Sequence, residues 1–125
     1  MAKTPEKKVK NKIVALLKEA GAYYFYPVTG GFGGSGVPDI VVCLNGCFLG
    51  IEVKADLKKS KPTVLQSLNL RSIDRAGGVA LVLDVCNYDV VLPAVLTALS
   101  HAQGVPPHIH IIKALCNYEE FARFD

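Results

Sequence analysis

No apolar run in this 125-residue chain approaches the roughly 18 residues that a membrane-spanning helix needs, so no membrane partner is expected. The Lys-rich first residues hold no apolar run before Ile13, which reads against a secretory signal. The four cysteines, at 43, 47, 86 and 116, lack the spacing of a metal site. Cys43 and Cys47 flank a turn and point away from bridging geometry, so buried free thiols in a reducing cytoplasm are expected. Only 20% of residues are charged and 50% are hydrophobic, which argues against a disordered chain. Repeats, low-complexity tracts and linkers are all missing. Residues 1–125 therefore read as one domain, long enough for a real core. A literal G-x-G-x-x-G runs from Gly31 to Gly36, but Val37-Pro38 leads from it into a strand rather than a helix. The Gly-Lys-Ser/Thr of a P-loop is also absent, so no nucleotide cofactor is expected.

What is present is uneven in charge. Residues 1–75 hold 12 of the 14 Lys and Arg and 6 of the 11 acids, a net +6. Residues 76–125 carry a net −3 and are mostly apolar, which suits a scaffold or a subunit interface. A basic first part suits a polyanionic partner, although charge alone does not name it.

The chain reads as alternating helices and strands. Thr4-Pro5 opens a helix whose stripe is Val9, Ile13, Leu16, Leu17 and Ala20, and Gly21 ends it. Ala22 to Val28 is aromatic-rich and reads as a strand. Residues 29–37 form a Gly-rich loop. Strands over about 39–44 and 47–54 meet at Asn45-Gly46, a two-residue hairpin signal because both central residues of a type I′ turn need positive φ. A helix over 62–76 follows a basic loop and closes at Gly77-Gly78. Val79 to Asp84 reads as a buried strand, and Tyr88 to Ser100 as a helix with Pro93 inside it. Ile109 to Ile112 offers a last strand. The order α-β-β-β-α-β, then α, predicts an α/β fold with a mixed sheet flanked by helices.

The hairpin register brings chemistry together. With Asn45-Gly46 as the loop, opposed residues sum to 91 and Asp39 faces Glu52. Lys54 shares the parity of Glu52 and points to the same face. Two carboxylates directly opposite, with Cβ atoms roughly 4.5–5.5 Å apart, cost stability. A divalent cation between them removes that cost, and Mg²⁺ takes hard oxygen ligands at about 2.0–2.1 Å.

Pro38-Asp39 with Glu52-Val53-Lys54 resembles the PD-(D/E)XK nuclease signature. Ser35-Gly36-Val37-Pro38-Asp39-Ile40, then Gly50-Ile51-Glu52-Val53-Lys54, Gln66 and Gly77-Gly78 are similar to the VRR-NUC branch. The archaeal Holliday-junction resolvases look similar over the same span, about residues 6 to 84. The resemblance implies a restriction-endonuclease-like core and a Mg²⁺- or Mn²⁺-dependent endodeoxyribonuclease. It implies Asp39, Glu52 and the Val53 carbonyl as metal ligands, with Lys54 stabilising developing charge or orienting the attacking water. It places Gln66 near substrate or water; a Thr63-x-x-Gln66 capping box explains the same residue locally. It places an early helix Glu near the metal. Glu6 falls on the inward stripe and takes that role, or it simply complements the helix dipole; Glu19 reads as solvated. The implied substrate is branched DNA, a four-way junction above all, cut by a two-fold homodimer in a prokaryotic cell or a phage-infected host. Repair cleavage of flaps or other branched DNA, or DNA binding without cleavage by the same fold, are the alternatives.

Phosphate contacts are expected from Lys58, Lys59 and Lys61, and from Lys3, Lys7, Lys8, Lys10 and Lys12. The bare backbone around Gly34 and Ser35 can approach a phosphate backbone. Tyr23, Tyr24 and Tyr26 read as core and sheet edge rather than base platforms. His108 and His110 share a strand face without a third metal ligand nearby.

Overall fold

The computed structural model describes residues 4–28, 36–101, 113–114, 116–122 and 124. Helix α1 spans Pro5–Glu19. Thr4 caps it, its hydroxyl accepting the Lys7 N–H at 3.2 Å. Its Val9, Ile13 and Leu17 stripe is buried, as the 3.6-residue period requires. Strand β1 spans Tyr23–Phe25, β2 Ile40–Leu44 and β3 Cys47–Val53. Helix α2 runs Val64–Arg75, β4 Val79–Leu83, α3 Tyr88–Ser100 and α4 Tyr118–Phe121.

The sheet is four-stranded and mixed, in the order β1-β2-β3-β4. β1–β2 and β2–β3 are antiparallel, whereas β3 and β4 run parallel across α2. The Asn45-Gly46 turn forms as its residue types demand, with φ of 52° and 79°. It fixes the pairing Leu44↔Cys47 through Ile40↔Ile51, which is the sum-to-91 register. The Asn45 side chain ties this turn to the end of α3, donating to the Leu99 carbonyl at 2.8 Å.

α2 lies over the face that carries Gly50. A Cβ at Gly50 would sit 2.6 Å from Ile73 Cδ1 and 2.9 Å from Pro38 Cγ, so only glycine lets helix and strand approach this closely. The alternate residues of β2 and β3 (Ile40, Val42, Leu49, Ile51, Val53) are buried with the stripes of α1 and α3, which pack on one another. At the other side of the sheet, the Tyr118 hydroxyl accepts from Ala80 N–H at 3.0 Å and donates to its carbonyl at 3.3 Å.

Some expectations shift. β1 is shorter than 22–28, because Pro27 has no N–H to continue a ladder. The second helix starts at Val64 rather than 62, since Thr63 is its cap. Asn87 precedes α3 but does not cap it with its side chain. Its amide instead accepts from the Asp84 N–H at 2.8 Å and donates to the Val82 carbonyl at 3.1 Å. All four thiols are free, but only Cys47 and Cys116 are buried. Cys43 pairs across from the exposed Phe48, and Cys86 sits in the turn before α3; both are exposed. The strand expected at 109–112, His108, His110, Lys3, Gly34 and Ser35 lie outside the described residues. Among the described residues, no helix is long and apolar enough to cross a membrane.

Candidate active site

The register that pairs Ile40 with Ile51 ends one step before Asp39 and Glu52. Asp39 leaves the ladder there, and its carboxylate replaces a backbone partner: Oδ2 accepts the Val53 N–H at 2.8 Å. This fixes the Asp39 side chain at the end of β3, beside Glu52.

Glu52 is 2% exposed, an unusual position for a carboxylate without an ion pair. Its Oε1 accepts from Gln66 Nε2 at 3.1 Å. Its Oε2 is buried and meets no hydrogen-bond donor. Burial, then a hydrogen bond that the protonated carboxyl can give Asp39 and the Asp39 charge itself, push the Glu52 carboxyl from 4.5 up to about 9; Lys54 opposes this and the charge of Glu6 adds to it.

Lys54 is also buried, 9% exposed. Its Nζ donates to Gln66 Oε1 at 3.0 Å. Gln66 therefore joins acid and base, giving its amide N–H to one and its carbonyl to the other. The same Oε1 accepts the Thr63 N–H at 2.9 Å, while Thr63 Oγ1 accepts the Gln66 N–H at 3.2 Å. The two readings of Gln66 thus coincide: the capping box of α2 is what aims this amide at Glu52 and Lys54.

A cavity of about 370 Å³ opens beside these groups, between the first turns of α1 and the end of the sheet. Glu6, Lys7, Lys10, Asn11, Tyr26, Asp39 and Val53 are in its wall. Glu6 is exposed, so it borders the site at its solvent side rather than sitting in the core. Glu19 is exposed at the far end of α1. Lys58, Lys59 and Lys61 are exposed in the loop after β3. That loop is pinned at Leu57, whose N–H donates to Asp84 Oδ2 at 2.8 Å.

Tyr26 is the wall residue that sequence reasoning set aside as sheet edge. The β1–β2 pairs end at Phe25↔Val41, so Tyr26 lies just past that ladder and shares the cavity wall with Asp39. The run Tyr23-Tyr24-Phe25-Tyr26 was a signal for the strand, but its register against β2 is not fixed by any short turn.

The residues suit a hard divalent cation. A buried carboxylate oxygen without a partner is costly. One cation would satisfy Glu52 Oε2, balance the facing Asp39 and restore the ionised form of Glu52. A second group, Asp56, Asp84 and Cys86, brings its ligand atoms within 4.8 Å of one another. There three of the four carboxylate oxygens already accept backbone N–H groups: Asp84 Oδ1 from Cys86 and Asn87, Asp84 Oδ2 from Leu57, and Asp56 Oδ1 from Lys58. That group is loop scaffolding.

No protein-family model and no curated protein matches the chain, so the resemblance rests on the motif residues themselves.

Proposed function

We propose that this protein is a Mg²⁺- or Mn²⁺-dependent, structure-specific DNA endonuclease of the VRR-NUC type, with a restriction-endonuclease-like core. The observation that carries the reading is the buried Glu52, with one oxygen unpartnered, beside Asp39 and joined through Gln66 to Lys54. A protein without cleavage duty gains nothing from two facing carboxylates at the end of an apolar hairpin.

Asp39, Glu52 and the Val53 carbonyl would hold the cation. When bound, it supplies Lewis-acid stabilisation at phosphorus and lowers the pKa of water, the two needs of phosphodiester hydrolysis at neutral pH. Lys54 keeps a charged donor at the site, held in place by Gln66, where it can stabilise charge developing on the phosphoryl oxygens. Glu6 adds a third carboxylate at the cavity wall. Lys58, Lys59 and Lys61 supply phosphate contacts that add affinity without reading sequence. Water attacks directly, with no covalent enzyme intermediate.

Specificity would then come from DNA shape. The resemblance favours a four-way junction, cut by a homodimer whose two sites are related by a two-fold axis. Mapping the cuts on labelled four-way junction, flap, duplex and single-stranded DNA tests this. Paired symmetric cuts across the junction are expected. Cuts confined to flaps would keep the nuclease and replace the resolvase role. Junction binding without cleavage in either metal would leave a DNA-binding module.

A further inference from the structure

The cavity beside Asp39 is lined in a way that cation binding does not explain. Tyr26 is 47% exposed and reaches this wall just past the edge strand β1, whose Tyr23 and Phe25 are exposed as well. Lys10 Nζ lies over that ring, 4.2 Å from its centroid. Lys7 and Asn11 stand on the same wall, one helical turn apart on α1. A half-exposed aromatic ring with one ammonium over its face and a second on the same wall is a pairing by which proteins hold an unpaired base and its phosphate. The volume, about 370 Å³, lies at the small end of ligand sites, a size that suits one nucleotide.

The register places this cavity against the site. Tyr26 follows the last β1–β2 pair, Phe25↔Val41, and Asp39 and Val53 are shared between the cavity wall and the Glu52 cluster. A nucleotide here is therefore next to any phosphate held at Asp39 and Glu52.

Resting on the nuclease reading above, we propose that the cavity is a subsite for one unstacked nucleotide flanking the scissile phosphate. Its own phosphate meets Lys7 and draws Lys10 from over the Tyr26 ring, and its base takes the place of that ammonium against the ring. The substrate class is DNA with an unpaired or easily splayed nucleotide at the cut, as at a junction crossover or the base of a flap. Continuous duplex is disfavoured because it must first unstack a base.

The test compares wild type, Tyr26→Ala and Tyr26→Phe on four-way junction, flap and continuous duplex of equal length. Cleavage is measured in Mg²⁺ and binding by fluorescence anisotropy in EDTA. Base–aromatic stacking corresponds to about a 5- to 150-fold change in affinity. Tyr26→Ala should raise KM on junction and flap by about ten-fold, within that range, and leave kcat within about two-fold. Tyr26→Phe should stay near wild type, since it keeps the ring. Wild-type KM in Tyr26→Ala, or an equal loss in Tyr26→Phe, would overturn the subsite while the nuclease stands. Should wild type cut nothing, the nuclease reading fails and the binding arm still decides. Weaker binding of unpaired DNA by Tyr26→Ala then supports the subsite, and unchanged binding removes it.

Discussion

Glu52 is buried beside Asp39 at the end of the β2–β3 hairpin, and one of its oxygens meets no hydrogen-bond donor. Asp39 meanwhile spends Oδ2 on the Val53 N–H. The pair is thus held rigidly in an arrangement that is unfavourable on its own. Burial and the Asp39 carboxylate together push the Glu52 carboxyl up to about 9. Such strain at one point of an otherwise well-packed core is expected where a ligand is to relieve it.

Stability of the metal-free protein should fall as pH rises. A carboxyl whose folded pKa lies above its unfolded value binds a proton on folding. The contribution of Glu52 is therefore fully present below about 4.5 and is lost as pH rises toward about 9. In EDTA at pH 8, Glu52→Gln should melt at least about 5 °C above wild type. At pH 4 the two should melt together. Equal melting temperatures at both pH values would show that Glu52 is not strained.

Divalent cations should reverse that order. Mg²⁺ or Mn²⁺ at 100 times its Kd stabilises the folded state by about 2.7 kcal/mol, a rise of several degrees in Tm. Wild type should show this rise, whereas Asp39→Asn and Glu52→Gln should not. A calorimetric titration gives the same answer without heating.

Gln66 should separate from the helix cap it belongs to. Thr63→Ala removes the hydroxyl of the capping box and should cost about 1 kcal/mol of stability, with kcat kept within about two-fold. Gln66→Glu keeps an oxygen for the Thr63 N–H but cannot donate to Glu52. It should lower kcat more than about ten-fold. If both variants lose activity in proportion to stability, Gln66 is a cap and nothing more.

Gly50→Ala should report on the scaffold. The new Cβ meets the Ile73 side chain and the stiff Pro38 ring. Overpacking of this kind costs about 1–3 kcal/mol. Because Pro38 precedes Asp39, the Mg²⁺-induced rise in Tm should shrink as well. An unchanged melting curve would mean that α2 does not press on β3 here.

How much of this was legible in the sequence follows from where the pairing is encoded. The Asn45-Gly46 turn fixes a register within two residues, so the facing of Asp39 and Glu52 could be read directly. Thr4 and Thr63 marked helix starts for the same reason: a cap is a local interaction. Tyr26 escaped, since its place beside Asp39 depends on β1–β2 pairing across a long connection with no turn signal. The burial of Lys54 was hidden as well. It depends on α2 crossing over Gly50, and a glycine in a strand does not announce which helix will approach it. The exposure of Cys43 was missed because strand alternation gives a face but not how far a helix covers it.

The central claim is that Asp39, Glu52 and Lys54 form one metal-dependent cleavage site, and a single cleavage assay addresses it most directly. Labelled four-way junction DNA would be incubated with wild type, Glu52→Gln and Lys54→Met, each in Mg²⁺, Mn²⁺ and EDTA, after folding and DNA binding of each variant are checked. Wild type should cut with either metal and not in EDTA. Glu52→Gln should not cut, and Lys54→Met should lose about 10²–10³ in kcat while still binding the junction. Cleavage that survives EDTA, or that Glu52→Gln retains at the wild-type rate, would contradict the assignment.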